Sequence, residues 1–477
     1  MRELAVIHRD KVSMMAMQSD RVASTVVWGT WLVMTLLALV GIAKYGQNVP
    51  LAEDWYFVAP LTEHEPDLLR WLWSQNNEHR VPLPRLILLV GLKITNGDFR
   101  VGMVFNVILL SALALAMIGV AHNLRGGRTI IADGFFPIAL LHFGNWPNLF
   151  WGWQFSFVLS TVLTCAVLLA LVSRQALFTP GAAIVAGCSL PLLPLCGATG
   201  LISVPLLAVC LGYYGVLYWN AGHLPDKSRW ISVFLFCSPV IALCLTGFYF
   251  VGYESPTWNP PNPGLVVTLK TTAQFVALGF GPAARVSWLF STIVAFGFLF
   301  SGVVCLMRAV WRLNGLEKPR ALGIIVFAAN LVLFALTLGW GRAGYVPTVG
   351  LPMRYALLAV PPFCLAFYIW ELYGSAKLRL IAQNGLFIGI CLLLPFNTTI
   401  GLVQWGNWYQ KGMQAFQQDL LAGQSSSSLA HEHRDFLIHW WSEDQLATAI
   451  EMLRDAGIGS FVQVNNTRVN SKDSTDH

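Results

Sequence analysis

Charged residues are scarce in this chain. Asp, Glu, Lys and Arg make up 11% of its 477 residues and the hydrophobic set makes up 56%, against about 25% and about 45–50% in soluble globular domains. These values exclude an ordinary soluble enzyme. Apolar runs of about 18 or more residues recur along the sequence, and each is long enough to cross a bilayer as a helix. The composition therefore predicts a polytopic membrane protein.

Several motifs of catalytic and transport proteins are absent. The chain has no HExxH sequence, no Walker A sequence and no GxSxG between a strand and a helix, which argues against a zinc protease, an ATP-driven pump and an α/β-hydrolase. Its nine cysteines lie within or beside apolar runs, so structural disulfides and a cysteine zinc site are not expected. The net charge of +6 does not indicate a nucleic-acid partner, because basic residues of membrane proteins collect in cytoplasmic loops and near lipid head groups.

The apolar runs predict an all-α bundle of about 11 transmembrane spans. The expected spans are 22–43, 101–121, 129–143, 151–172, 181–195, 201–219, 230–251, 287–307, 321–340, 355–372 and 380–396. Two short ones, 129–143 and 181–195, contain or adjoin prolines that break or kink helices. We divide the chain into an N-terminal segment 1–21, a bundle 22–402 with a long loop 44–100, and a tail 403–477. The first run is too long for a signal peptide and is expected to be retained.

Basic residues predict the orientation of this bundle. With a cytoplasmic N-terminus, the inner segments hold 15 Lys and Arg residues and the short outer loops hold 4. This positive-inside bias favours a cytoplasmic N-terminus. An odd number of spans then places the loop 44–100 and the tail 403–477 on the outer side. We expect the tail to form a small extracytoplasmic helical unit.

The polar residues fall into three clusters on the predicted outer side, and the first is Glu53-Asp54-Trp55. Charges near a bilayer are costly and tend to mark functional sites. Desolvation and repulsion between the carboxylates would raise one pKa toward the working range of a general base. The alternative is structural, with Asp54 capping a helix that begins at Trp55.

The second cluster is the polar segment 75–80 of the same loop. Asp67 predicts the start of a short interfacial helix that would hold this segment at its end. Arg80 beside His79 suits an anionic phosphate, because a guanidinium offers a planar fork of donors, and Glu78 is a candidate for substrate contact. The alternative is a solvated loop whose arginine extends toward the interface.

The third cluster lies between two late apolar spans. Arg342 and Arg354 are on the side that should be poor in arginine, near glycines that permit close backbone approach. With Tyr355 they form a candidate phosphate or pyrophosphate site. The alternative is that both arginines extend from helix ends to the interface.

Two weaker candidates remain. Trp151 and Gln154 offer a stacking face and an amide for a sugar ring, although an interfacial aromatic belt explains the tryptophans equally well. His431-Glu432-His433 in the tail could bind a metal, but no third ligand stands at a recognisable spacing. The sequence therefore leaves any metal site unknown.

The combination of EDW at 53–55, NEHR at 77–80, WGWQF at 151–155 and GRAGY…MRY at 341–355 resembles the GT-C superfamily of integral-membrane glycosyltransferases, specifically bacterial members. The resemblance covers about 22–396, rests on short motifs and leaves out the tail. It implies a multi-pass protein of the bacterial inner membrane that acts in the cell envelope. Such a protein takes a sugar from a polyprenyl-phosphate carrier and transfers it, on the outer face, to a glycan, lipid or protein acceptor.

The resemblance also implies roles for individual residues. Asp54, with Glu53 as the close alternative, matches the acidic residue that serves as the base or metal partner. The residues expected beside the donor and its phosphate are Arg80, His79, Arg342 and Arg354. Direct displacement would invert the anomeric centre. Because the chain lacks the second acidic motif of metal-dependent members, a divalent cation is possible rather than required.

Three other functions compete with this hypothesis. A transporter or lipid-linked-substrate flippase should place ionisable groups at mid-bilayer depth, whereas the predicted helix interiors hold almost none. An O-antigen-ligase-like or polymerase-like enzyme would also use external Arg and His residues, and the sequence does not separate it from a monosaccharide transferase. A non-catalytic assembly factor would tolerate substitution of Asp54.

Overall fold

The computed structural model describes residues 2–220, 229–345 and 351–461, and its regular elements in these ranges are all helical. The α-helices are α1 Arg2–Tyr45, α2 Val58–Leu61, α3 Leu68–Trp73, α4 Pro82–Ile94, α5 Arg100–Leu124, α6 Phe135–Leu141, α7 Trp146–Phe150, α8 Phe155–Val172, α9 Pro180–Leu192, α10 Ala198–Leu201, α11 Val204–Asn220, α12 Arg229–Tyr249, α13 Leu265–Ala277, α14 Trp288–Val310, α15 Glu317–Arg342, α16 Pro361–Tyr373, α17 Ala376–Gln404, α18 Lys411–Leu421, α19 Ser426–Leu437 and α20 Glu443–Asp455. The all-α fold agrees with the composition.

Eight helices of the described ranges are long and apolar enough to cross a membrane. They are Asp20–Tyr45, Arg100–Leu124, Gly152–Val172, Arg229–Tyr249, Trp288–Val310, Glu317–Arg342, Met353–Tyr373 and Ala376–Leu421. Three shorter apolar helices accompany them, at Pro180–Cys196, Val204–Asn220 and Leu265–Phe280. The structure thus supports a membrane protein with several apolar helices, and it does not establish the expected number of about 11 spans.

The apolar run 129–143 does not form the single helix expected for it. A 3₁₀ helix, Ile131–Gly134, leads into α6, which ends at Leu141. His142 then adopts an extended conformation with ψ 148°, and a further 3₁₀ turn precedes α7. Conversely, the sequence analysis did not identify α13, because Lys270 and several threonines dilute its apolar pattern.

The long loop after α1 folds into short helices at one end of the bundle. Residues Ala52–Phe57 form a 3₁₀ helix. Asp67 caps α3 by accepting a hydrogen bond from the Arg70 backbone amide at 3.0 Å, which confirms the helix start predicted there. Buried Arg85 of α4 donates to the carbonyl oxygen of Trp71 at 2.6 Å. The loop is therefore a folded, packed unit rather than an extended segment in solvent.

The C-terminal region continues directly from α17. A π-helical turn, Trp405–Gln410, joins α17 to α18, and α19 and α20 follow. Ser442 begins α20 with a capping box, and Gly457 follows its end with φ +61°. We call Lys411–Phe461 the appendage. The last part of the predicted tail, 462–477, lies outside the described residues.

The appendage packs against the loop after α1. The rings of Tyr56 and Trp441 meet edge to face with centroids 5.3 Å apart. At a second contact, the side chains of Gln47 and Gln417 are hydrogen bonded at 2.7 Å. Loop and appendage therefore lie on the same side of the bundle.

Candidate functional site

One large cavity opens where the loop after α1 meets the appendage. Its volume is about 970 Å³, close to the upper end of the range of about 300–1,000 Å³ for small-molecule sites. The sequence-predicted residues that line it are Glu53, Glu78, His79, Trp151, Gln154, Arg342, Arg354 and Tyr355. Eight of the ten candidates thus converge on one cavity, and the other two, Asp54 and Arg80, lie outside its lining.

Glu53 is one of the residues that line this cavity. Its Oε2 atom is buried and has no hydrogen-bond partner among the described residues. Burial raises the pKa of Glu53 above its ordinary value, Arg354 opposes the rise and Glu78 adds to it. The preceding residue, Ala52, has φ +50°, a conformation that costs a non-glycine residue free energy and is often found at functional sites. A cavity-lining carboxyl with a raised pKa suits a general base.

Asp54 packs beneath the cavity wall. It is 7% exposed, and a Cβ built on Gly152 would lie 3.4 Å from its Oδ1. Burial and the charge of Glu53 raise the pKa of Asp54 well above its ordinary value, and hydrogen bonds with the backbone of Leu51 and Trp153 oppose this only in part. The residue does not cap a helix, since the N-cap of its 3₁₀ helix is Leu51.

Glu78 and Arg342 form an ion pair across the cavity wall, with Nε2 of His79 lying 3.7 Å from Oε1 of Glu78. Burial raises the pKa of Glu78, but His79 and the ion pair with Arg342 together outweigh burial, and the pKa falls below its ordinary value. Burial lowers the pKa of His79 to about 4; Glu78 opposes this, while Arg342 and Arg354 reinforce it. His79 is therefore a neutral hydrogen-bonding group near pH 7, and the positive charge of the cavity comes from the arginines.

Two arginines flank one tyrosine ring. The guanidinium carbons of Arg342 and Arg354 lie 6.0 and 5.6 Å from the ring centroid of Tyr355, which is cation–π range. Asn148 donates to the carbonyl oxygen of Arg354 at 2.9 Å and fixes that turn. This pair of guanidinium groups offers several donors to an anionic oxygen.

Arg80 has a different position from the one expected for a donor contact. It is 7% exposed, and its Nη2 donates to the carbonyl oxygen of Gly252 at 2.7 Å. Its backbone amide donates to the hydroxyl of Tyr249 at 3.1 Å. In this structure Arg80 anchors the segment 75–80 to the end of α12. It thereby positions its neighbours Glu78 and His79, which line the cavity.

Aromatic side chains form much of the cavity wall. Besides Trp151 and Tyr355, the lining includes Tyr56, Trp153, Phe157, Trp258, Tyr345, Trp408 and Trp440. Trp151 is fixed by a hydrogen bond from its Nε1 to the carbonyl oxygen of Leu51 at 3.2 Å. Aromatic faces offer apolar contact to the C–H faces of a sugar ring, so the expected sugar-binding role of Trp151 is compatible with its position.

Several lining residues also carry buried polar atoms with no hydrogen-bond partner in the described part of the chain. They are Oε2 of Glu53, Oδ1 of Asn76, Nδ1 of His79, Oε1 of Gln154 and Nε of Arg354. Each such atom costs about 1–3 kcal/mol if it stays unpaired. Their concentration around one cavity indicates a place where a polar ligand, with water, completes the hydrogen bonding.

The sequence analysis missed the contribution of the appendage to this site. Residues 435–440 line the cavity, and Trp440 donates from Nε1 to the hydroxyl of Tyr56 at 3.1 Å. The aromatic pair Trp440-Trp441 in an otherwise polar tail was the available signal. Nothing local to the tail indicates that it folds back over the loop after α1.

A group of three potential metal ligands within the described residues lies in the appendage, outside the cavity lining. Ligand atoms of Asp419, Glu432 and His433 lie within 4.8 Å of one another, and Nε2 of His433 is 2.7 Å from Oδ2 of Asp419. His431 instead faces Glu443 at 3.1 Å. The sequence-predicted trio 431–433 is therefore not brought together, and Asp419 replaces His431 in the cluster.

Comparisons with known proteins identify no relative of this chain. No protein-family model, no curated protein and no solved structure matches this chain. The chemistry of the cavity is therefore the basis for assigning a function.

Proposed function

We propose that this protein is a membrane glycosyltransferase that moves a sugar from a polyprenyl-phosphate donor to an acceptor hydroxyl. The observation that carries the proposal is the convergence of a carboxyl with raised pKa, two arginines and many aromatic rings on one cavity at the end of an apolar helical bundle. A donor of this kind has a lipid tail for the bilayer, a phosphate for the arginines and a sugar for the aromatic rings.

The reaction assigns a separate task to each group. Glu53 takes the proton of the acceptor hydroxyl as its oxygen attacks the anomeric carbon. The bond from the anomeric carbon to the phosphate oxygen breaks, and the polyprenyl phosphate leaves with the electron pair. Arg354 and Arg342 stabilise the negative charge that develops on it. Displacement in one step inverts the anomeric centre, and no ATP is consumed because the donor already carries a good leaving group.

Glu53, rather than Asp54, is the proposed base. Glu53 lines the cavity, whereas Asp54 is buried beside Gly152 with a strongly raised pKa. A group that takes a proton has to reach the substrate. Asp54 is assigned a positioning role, as a buried carboxyl group that holds the 3₁₀ helix against the turn before α8.

Substitution of the two carboxyls tests this assignment. We expect Glu53→Gln to lower transfer by about 100-fold or more, the usual contribution of a general base. Asp54→Asn should retain most activity, because the amide has the size of the buried carboxyl group and its oxygen can accept the same backbone hydrogen bonds. Cells that lack the native copy would express each variant, and mass spectrometry would compare their polyprenyl-linked sugars and surface glycans. Loss of Glu53 should remove one sugar from a glycan and accumulate one polyprenyl-phosphate sugar.

Glu63→Gln is the matched control, because Glu63 lies exposed in the same loop and outside the cavity lining. If Asp54→Asn alone abolishes transfer in a protein that inserts normally, the base is Asp54. If both variants leave lipids and glycans unchanged, the transferase proposal is wrong, and a transport or scaffold role replaces it.

A further inference from the structure

A second groove adjoins the cavity. It has a volume of about 500 Å³ and lies between the loop after α1 and α20. Its lining includes Trp55, Trp71 and Trp441 beside Glu65 and Asp444. The proposed reaction leaves the groove without a role, and the tail that forms one of its walls lies outside the sequence resemblance.

Tyr56 separates the groove from the cavity, because its side chain lines both. Its hydroxyl accepts the hydrogen bond from Trp440 on the cavity side, and its ring packs against Trp441 on the groove side. In a 3₁₀ helix, residues three apart lie on the same face. Glu53 and Tyr56 belong to one such helix, so the groove ends beside the proposed base.

The groove lining differs from the cavity lining in charge. Among the described residues, the only charged residues of the groove lining are the acidic Glu65 and Asp444. The cavity lining combines two arginines with three acidic residues, which are Glu53, Glu78 and Asp435. Carboxylates disfavour phospholipid head groups and acidic polymers by like-charge repulsion. They also accept hydrogen bonds from hydroxyl and amino groups.

Three tryptophans line the groove together with the carboxylates. Trp71 is 8% exposed and Trp441 is half-buried, so each keeps part of its surface accessible. Trp55 is 1% exposed, and its Nε1 has no hydrogen-bond partner among the described residues. A buried donor of this kind needs an acceptor, which a ligand hydroxyl or a bridging water can supply.

We infer that this groove binds the acceptor, and that the acceptor is an uncharged or amino-sugar saccharide chain. The inference rests on the proposed function, since it makes the groove the route by which an acceptor hydroxyl reaches Glu53. Sugar rings stack on the half-buried Trp441, and their hydroxyl or amino groups donate to Glu65 and Asp444. The phosphate of the donor stays in the cavity with the arginines.

Direct binding measurements test the groove apart from catalysis. The full-length protein in lipid nanodiscs would be titrated with maltohexaose, mannohexaose, chitohexaose and chitosan hexamer, and with a hexagalacturonate as the anionic comparison. We expect at least one of the first four to bind and the hexagalacturonate not to bind. Asp444→Asn and Trp441→Ala should each weaken the binding by 10-fold or more.

Two controls match these variants. Glu451→Gln removes an exposed carboxylate of the same helix, α20, outside the groove lining. Trp311→Ala removes a tryptophan that is 85% exposed at the end of α14. Neither control should change saccharide binding. Asp444→Asn changes an exposed side chain, so its result does not depend on whether Trp441→Ala preserves the appendage.

Binding of undecaprenyl phosphate separates this inference from the proposed function. That lipid should bind the wild type and Asp444→Asn equally, and should bind Arg354→Gln weakly. If the lipid binds as expected but no saccharide binds, or saccharide binding survives both groove variants, the groove inference is overturned while the donor site stands. If saccharides bind but the lipid does not, the donor assignment is the one that fails.

Discussion

At the scale of single residues, Glu53 and Asp54 show how neighbours in sequence acquire different chemistry. A 3₁₀ helix turns by about a third of a circle per residue, so the two side chains point in different directions. Glu53 lines the cavity, while Asp54 packs beside Gly152. The sequence offered the two carboxyls as alternatives, and the resemblance to membrane glycosyltransferases favoured Asp54. No local pattern indicates which of the two lines a cavity.

The pKa of Glu53 gives a prediction for the pH dependence of transfer. The general base acts when ionised, so activity falls as the pH drops through its pKa. Arg354 lowers this pKa and Glu78 raises it. The acidic limb of the kcat/KM profile should therefore move to higher pH in Arg354→Gln and to lower pH in Glu78→Gln, relative to wild type.

Profiles of transfer against pH with a purified donor would check these two shifts. Arg70→Gln, a change at an exposed arginine of the same loop, should leave the limb in place. If the acidic limb moved in the same direction in Arg354→Gln and Glu78→Gln, the titrating group would not be Glu53.

At the scale of elements, a glycine just after α4 determines how closely the appendage packs against the loop after α1. Gly97 has φ +80°, and a Cβ at this position would overlap Cγ2 of Ile458. Ile458 is 7% exposed, so it has little room to move. Gly97→Ala should therefore loosen the appendage from the loop and increase amide hydrogen exchange in α20.

Gly126→Ala provides the comparison, because Gly126 also has a positive φ, +69°, but has open space around it. Both variants carry the backbone strain of alanine in the left-handed region, and only Gly97→Ala adds the clash. Equal exchange of α20 in the two variants would contradict the contact as the cause.

Local signals predicted elements well where a single residue decides the structure. The Asp67 cap of α3 follows from a side chain that bonds to the adjacent backbone. The run 129–143 is not among the long apolar helices of the described ranges, because hydropathy does not record that its first turn is a 3₁₀ helix and that α6 ends at Leu141.

At the scale of the whole molecule, a buried ion network lies far from the cavity. Arg125 follows the end of α5, and α5 is about 37 Å long. Its guanidinium contacts Asp133 and Glu371 at 2.7 Å each, and the three side chains are 0–7% exposed. The network joins α5, α16 and the 3₁₀ helix before α6.

Arg125→Gln should destabilise the folded protein by about 3–5 kcal/mol, because it removes the buried guanidinium that pairs with both Asp133 and Glu371. The thermal unfolding midpoint of the detergent-solubilised protein would measure this loss. Arg379 pairs with the same Glu371 at 3.2 Å but is 38% exposed. Arg379→Gln should cost about 1 kcal/mol or less, and an equal effect of both variants would contradict a dominant role for the buried pair.

The sequence by itself determined the membrane-helix composition, several helix boundaries and the residue types of the candidate site. These follow from local composition and short-range hydrogen bonding, which act within a few residues. Only the tertiary structure decided that Glu53, Glu78, Arg342 and Arg354 share one cavity, that Arg80 and Asp54 do not, and that residues 435–440 complete the wall. These contacts join segments up to hundreds of residues apart, and the packing of helices that creates them leaves no local pattern in the sequence.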